Sequence, residues 1–392
     1  LAFLILALFG LGALLLFETG DSDDARLEPD ALVRDDDDGL SGFTIFPGEE
    51  DAPARLVGTA GADSLTDDAL AQLRAETDVR VIEAGRGDDS IDGEGGALSG
   101  MTVYAGDGDD FIEAQNDRLT RIFGGEGHDV VAASRAIVFG GKGDDTIELS
   151  VHSDETLLAG EADGGPGNDI LSAPQGAAEL WGGAGDDTIL AGPGSAIEGE
   201  EGDDDLTIFG NFSSARGDDG NDTLRAQIRV EPTLVEENGL ARYEMQENMQ
   251  MVLRGGTGRD DFVVEVARDV LLDPERETPL NLATIADFVP GGDTLAVRFG
   301  VAEVQGPSSL DSVFNSPAFL GFENIESRLV TPQAITFGGT NADGFLTLNF
   351  GTGPDTHDLT VRLNGVTDID PALIRFSPER QELVILRAAA GA

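Results

Sequence analysis

From Gly58 to Val263 the apolar positions return in a fixed frame. Ten times an apolar residue stands two places after an aspartate and four places after a glycine. The apolar set is Leu65, Ile91, Ile112, Val131, Ile147, Leu171, Ile189, Leu206, Leu224 and Phe262. The aspartates are Asp63, Asp89, Asp110, Asp129, Asp145, Asp169, Asp187, Asp204, Asp222 and Asp260. The frame belongs to a nine-residue phrase whose fullest copies are Gly124-Gly-Glu-Gly-His-Asp-Val-Val-Ala132, Gly140-Gly-Lys-Gly-Asp-Asp-Thr-Ile-Glu148, Gly164-Gly-Pro-Gly-Asn-Asp-Ile-Leu-Ser172 and Gly182-Gly-Ala-Gly-Asp-Asp-Thr-Ile-Leu190. Less complete copies begin at Gly58, Ala84, Ala105, Gly199, Gly217 and Gly255, and positions 5 and 7 vary. A second apolar column precedes the phrase by two residues, at Ile82, Val103, Ile122, Val138, Leu180 and Ile197. The pattern predicts strand, glycine–aspartate turn and strand, repeated, with both apolar columns facing one core.

This phrase resembles the glycine- and aspartate-rich nonapeptide of RTX (hemolysin-type) calcium-binding proteins, and the resemblance spans roughly half the chain. It implies an all-β fold, a right-handed parallel β-roll in which each repeat is a calcium-binding turn followed by a short strand. It also implies that each ion sits between two stacked turns and takes an aspartate from each. The ten aspartates, Asp63 to Asp260, are the candidate metal ligands.

In such a roll two nonapeptides make one coil, so like faces recur near every eighteenth residue. Here the phrases start 26, 21, 19, 16, 24, 18, 17, 18 and 38 residues apart. Each good copy is followed by a poor one, such as Ala114-Gln-Asn-Asp-Arg118 or Ala191-Gly-Pro-Gly194. The expectation is that good turns stack on one edge and degenerate turns on the other, with calcium in single file. Roughly six to eight ions are expected, because ten turns leave nine gaps and the irregular steps break some of them. Calcium takes six to eight oxygens from carboxylates and carbonyls. Glycine allows the positive φ that lets carbonyls converge. Carboxylates stacked about 4.8 Å apart repel unless a cation lies between them.

The flanks differ. Leu1 to Phe17 carries no charge and is expected to be a transmembrane anchor or a signal segment. Residues 18–55 are acidic and contain several prolines, and read as a flexible linker. The roll is expected over 56–263, with 226–254 an insertion: a pair of strands around Glu237-Asn-Gly239, or one degenerate coil. From 264 to 392 the acid density falls and alternating runs appear at Ala334 to Phe337, Phe345 to Phe350, Leu359 to Leu363 and Leu383 to Leu386. This stretch is expected to be a β-rich cap covering the last coil.

Composition narrows the function. Lys plus Arg is 24 against 75 for Asp plus Glu, a net charge of -51, so a nucleic-acid partner is excluded for want of a basic patch. There is no cysteine, which removes disulfides and thiolate metal sites. No His-Glu-x-x-His or Gly-x-Ser-x-Gly is present. The three histidines are scattered: His128 in a turn, His152 in the 148–164 insert and His357 in a loop. The reading is therefore a calcium-binding structural or interaction protein and not an enzyme. It is expected to be tethered to a bacterial cytoplasmic membrane, with its bulk on the periplasmic or extracellular side. The alternatives are an accessory subunit of a larger membrane complex, and a secreted RTX protein or polysaccharide-active enzyme.

Overall fold

A computed structural model describes residues 40–48, 53–115, 118–150, 160–210, 212–228, 232–237, 240–245, 251–267, 280–301, 332, 334–339, 343–350, 357–377, 380 and 382–387. The expected anchor at 1–17 lies outside the described residues, as does His152. Among the described residues no helix is long and apolar enough to cross a membrane.

The fold is two long sheets wound by one chain, and the repeats run mostly parallel. Strands that precede a phrase lie in one sheet, and strands that end it lie in the other. One coil illustrates the rest: Ala178–Ala184, the turn at 185–187, Thr188–Ala191, the plain turn at 192–195, then Ala196–Glu201. Every glycine–aspartate turn thus passes from the first sheet to the second, and every plain turn passes back. The two kinds of turn occupy opposite edges, as the spacing predicts.

Register holds the columns in place. Val131 pairs with Ile112 on one side and Ile147 on the other, and Leu171, Ile189, Leu206, Leu224, Phe262 and Leu295 continue the line. The facing column runs Ile82, Val103, Ile122, Val138, Ala162, Leu180, Ile197, Ala215 and Leu253. Both columns are fully buried and form one continuous core. A one-residue slip would turn either column to solvent, so burial itself enforces the register.

The uneven steps are absorbed on the plain edge. The 26-residue step holds a helix, Asp67–Glu76, capped by the Thr66 side chain and packed through Leu70 and Leu73. The 16-residue step is closed by Arg135 alone, at φ 51, between Val130–Ser134 and Ala136–Lys142. The 38-residue step holds the antiparallel pair Pro232–Glu237 and Leu240–Met245, the first of the two readings of 226–254. Insertions there leave the opposite edge in step.

Three readings need correction. The stretch 18–55 is not linker throughout: Leu40–Ser41 and Thr44–Phe46 are strands antiparallel to the roll's first strands, and Phe43 and Ile45 are buried. Its acids and prolines concealed this short apolar alternation. The parallel ladder does not stop at 263 either. Leu280–Ile285 and Thr294–Val301 add another coil, because Leu282, Ile285, Leu295 and Val297 continue the core. Beyond it Glu382–Ile385 pairs antiparallel with Thr294–Val301, and Ala334–Gly339, Asp343–Phe350 and His357–Asn364 form a meander. His357 therefore opens a strand and does not sit in a loop.

Candidate metal file

The coil geometry brings all ten predicted aspartates into one buried column, each no more than 4% exposed. Asp293 extends the column to eleven. Along it every backbone N–H donates to Oδ1 of the next aspartate. Asp89 N–H reaches Asp110 at 2.8 Å, Asp129 reaches Asp145 at 2.8 Å, Asp169 reaches Asp187 at 2.7 Å and Asp204 reaches Asp222 at 3.0 Å. The last bond runs from Asp260 N–H to Asp293 at 3.1 Å. One carboxylate oxygen of each rung therefore holds the coils together.

The second oxygen is different. Oδ2 of Asp89, Asp110, Asp129, Asp145, Asp169, Asp187, Asp204 and Asp222 is buried with no hydrogen-bond partner. A carboxylate has only acceptor sites, so an oxygen shut away from donors and water is costly. Six of these oxygens, those of Asp129, Asp145, Asp169, Asp187, Asp204 and Asp222, lie beside a second one. A Cβ placed on Gly182 would fall 2.2 Å from Asp187 Oδ2 and 2.8 Å from the Gly199 carbonyl oxygen of the next coil. Glycine leaves that space open, and the same pairing recurs at Gly124, Gly140, Gly164, Gly199 and Gly217, whereas Ala84 and Ala105 hold the same position in the Asp89 and Asp110 phrases. The fourth-position glycine meets a separate demand. Gly185, at φ 134, passes so close to the coil before it that a Cβ would lie 1.9 Å from the Gly167 carbonyl oxygen.

Burial pushes the carboxylates of Asp110, Asp187 and Asp222 up to about 7, opposed in part by the backbone N–H each accepts and reinforced by neighbouring acids. The same causes lift Asp89, Asp129, Asp145, Asp169, Asp204 and Asp260 to about 6. A file of buried acids near neutrality calls for a positive partner. Among the described residues no three acidic or histidine side chains converge on one point. A cation here must complete its shell with backbone carbonyls, which suits calcium and does not suit zinc.

The fifth position, which varies in sequence, carries a second ladder of opposite direction. Asp109 N–H donates back to Asp88 Oδ1 at 3.1 Å, and His128 N–H to Asp109 at 2.8 Å. Asp144 N–H donates to His128 Nδ1 at 2.8 Å, Asn168 to Asp144 at 2.8 Å and Asp186 to Asn168 at 2.8 Å. Asp203 and Asn221 continue it. Asp, Asn and His alternate freely because each offers an acceptor at the same reach. His128 is exposed, and its Nδ1 stands where the other rungs of this ladder place their acceptor oxygen.

On the plain edge hydroxyls take over part of this role. Thr120, Ser195 and Ser213 are buried, and each hydroxyl bridges coils. Ser195 accepts the Ala178 N–H at 3.0 Å and donates to the Gly176 carbonyl at 3.1 Å. Thr120 and Ser213 make the same pair of bonds with Gly100 and Leu98, and with Gly194 and Gly192. A hydroxyl both donates and accepts, so none of these three oxygens is orphaned.

A family model of the RTX calcium-binding nonapeptide repeat matches the chain in four copies, at residues 81–97, 102–118, 137–150 and 163–195. These stretches contain Asp89, Asp110, Asp145, Asp169 and Asp187. No curated protein matches the chain. The chain thus carries RTX calcium-binding nonapeptide repeats on a scaffold of parallel-stranded sheets.

Proposed function

We propose that this protein is a calcium-stabilised structural module whose ions lie in single file along the aspartate edge. The observation that carries the reading is the run of eight orphaned Oδ2 atoms from Asp89 to Asp222. Eight such rungs enclose seven gaps, so the file holds about seven ions. Asp63 is satisfied within the chain, because Thr59 donates to Oδ1 through its hydroxyl at 2.8 Å and to Oδ2 through its N–H at 2.5 Å. It closes the N-terminal end and takes no ion of its own. Bound calcium supplies the positive charge that the buried carboxylates lack, and the chain supplies carboxylate and carbonyl oxygens in a fixed column. The module has no catalytic role in this reading. The test is a calcium titration of the full chain with bound metal counted. About seven ions per chain support the file, and a chain that binds none removes it.

Modest-affinity calcium sites fill where calcium is abundant, which favours a location outside the cytosol. The uncharged stretch Leu1 to Phe17 supports tethering to a membrane there. Fractionation in mild detergent tests both points. Recovery with stoichiometric membrane subunits would make the protein an accessory subunit of a complex, and recovery alone would make it a free-standing tethered module.

A further inference from the structure

The two ends of the aspartate column are finished differently from its middle, and the C-terminal end is finished by a cation. Arg387 follows the strand Glu382–Ile385, which lies antiparallel on Thr294–Val301. Its Nε donates to the Gly292 carbonyl at 2.9 Å. Its Nη2 donates to the Arg259 carbonyl at 2.8 Å and to Asp261 Oδ1 at 2.7 Å. Arg259 and Asp261 flank Asp260, and Gly292 precedes Asp293. One guanidinium, 95 residues from the nearer partner and 128 from the farther, thus ties together the last two turns of the column.

The oxygens it gathers are of the kinds calcium takes, two fifth-position carbonyls and the seventh-position carboxylate of Asp261, from two successive turns. A guanidinium meets the same oxygens with several fixed N–H donors and stays charged at any working pH. Asp293 also differs from the eight orphaned rungs. Its Oδ1 accepts the Asp260 N–H at 3.1 Å and its Oδ2 accepts the Val289 N–H at 2.7 Å. The nearby acids are numerous: Asp260, Asp261, Asp287 and Asp293, with Asp287 already holding the Gly255 and Gly256 N–H groups at 3.0 Å.

We propose that Arg387 is a tethered counter-cation that closes the C-terminal end of the calcium file, so that the gap between Asp260 and Asp293 takes a guanidinium and no ion. The file then has a fixed length. The last coil is docked by its own chain, and the roll ends in a cap whose charge balance does not depend on calcium.

The proposal rests on the calcium reading above, and its test separates the two. Terbium replaces calcium in crystals of the full wild-type chain, and its anomalous peaks are located. Peaks are expected in the gaps from Asp89 to Asp222, with none between Asp260 and Asp293. In solution, R387Q is expected to bind one more calcium per chain than wild type. It should also lose hydrogen-exchange protection over 382–387, recovering it as calcium is raised. A terbium peak between Asp260 and Asp293 overturns the proposal and leaves the calcium file standing. A folded R387Q with the wild-type ion count also overturns it. If R387Q does not fold, the wild-type terbium map alone decides. A wild-type chain that binds no calcium removes both readings.

Discussion

Asp187 Oδ1 accepts the backbone N–H of Asp169 at 2.7 Å, while Oδ2 of the same carboxylate is buried with no partner. One side chain therefore does two separable things: it ties adjacent coils, and it presents an unpaired charge. Asp187→Asn keeps the acceptor and removes the charge. The substitution is expected to act with opposite signs in the two states. Without calcium it relieves a buried charge and stabilises the roll by on the order of 1–3 kcal/mol. With calcium it weakens the two gaps that share Asp187, and the bound-ion count falls by one or two. Denaturant melts in metal-free and calcium-saturated buffer check this. Destabilisation of equal size in both would mean that the carboxylate has only a structural role.

Calcium and magnesium are expected to differ. Magnesium demands a small octahedral shell at about 2.0–2.1 Å and keeps its waters, whereas calcium accepts a wide, irregular set of oxygens. Every rung is nearly sealed from solvent, which disfavours an ion that keeps its waters. Ions that bind only the folded roll stabilise it by mass action. Circular dichroism of the metal-free chain should thus show reduced β content that millimolar calcium restores and millimolar magnesium does not. Full β content in metal-free buffer at neutral pH would contradict this.

Acid is expected to substitute partly for calcium. Burial lifts Asp110, Asp187 and Asp222 to about 7 and six other rungs to about 6, against 3.8 for the unfolded chain. Carboxyls raised in the folded state favour it fully below the unfolded value. They lose that contribution as pH rises through 6 to 7. The metal-free roll should be more ordered at pH 5 than at pH 7.5. Calcium binds the ionised form, so its midpoint concentration should rise as pH falls over the same window. Dichroism and calcium titrations at the two pH values check both trends. A metal-free chain less ordered at pH 5 would refute the first.

Much of this architecture is legible in the Gly-x-Asp-x-apolar frame, because each of those positions answers a single demand. The sixth-position aspartate supplies the buried carboxylate, and the eighth residue fills the core opposite the facing apolar column. Elsewhere the demand is looser, and the sequence hides it. The fifth-position ladder accepts Asp, Asn or His, so it reads as variation. Asp293 lacks the first two glycines of the phrase, although Gly291 at φ 84 and Leu295 keep the rest of its frame. The helix Asp67–Glu76 carries its own signals, the Thr66 cap, acidic first turn and Leu70/Leu73 spacing, inside what otherwise reads as a long interval between repeats. The hydroxyls of the plain edge follow no fixed spacing, because the turns that hold them differ in length.

That plain edge gives the last prediction. Ser195 is 1% exposed, and its hydroxyl accepts from Ala178 N–H and donates to the Gly176 carbonyl. Ser195→Ala leaves a buried donor and a buried acceptor without this partner, at a cost of about 1–3 kcal/mol. The aspartate file on the opposite edge is untouched, since the strands between keep their register. The variant should therefore lose stability equally in calcium and in metal-free buffer, with an unchanged ion count at saturation. Denaturant melts in both buffers, paired with a count of bound metal, check it. A drop in bound calcium would show that the two edges are coupled, and that calcium is not confined to the aspartate side.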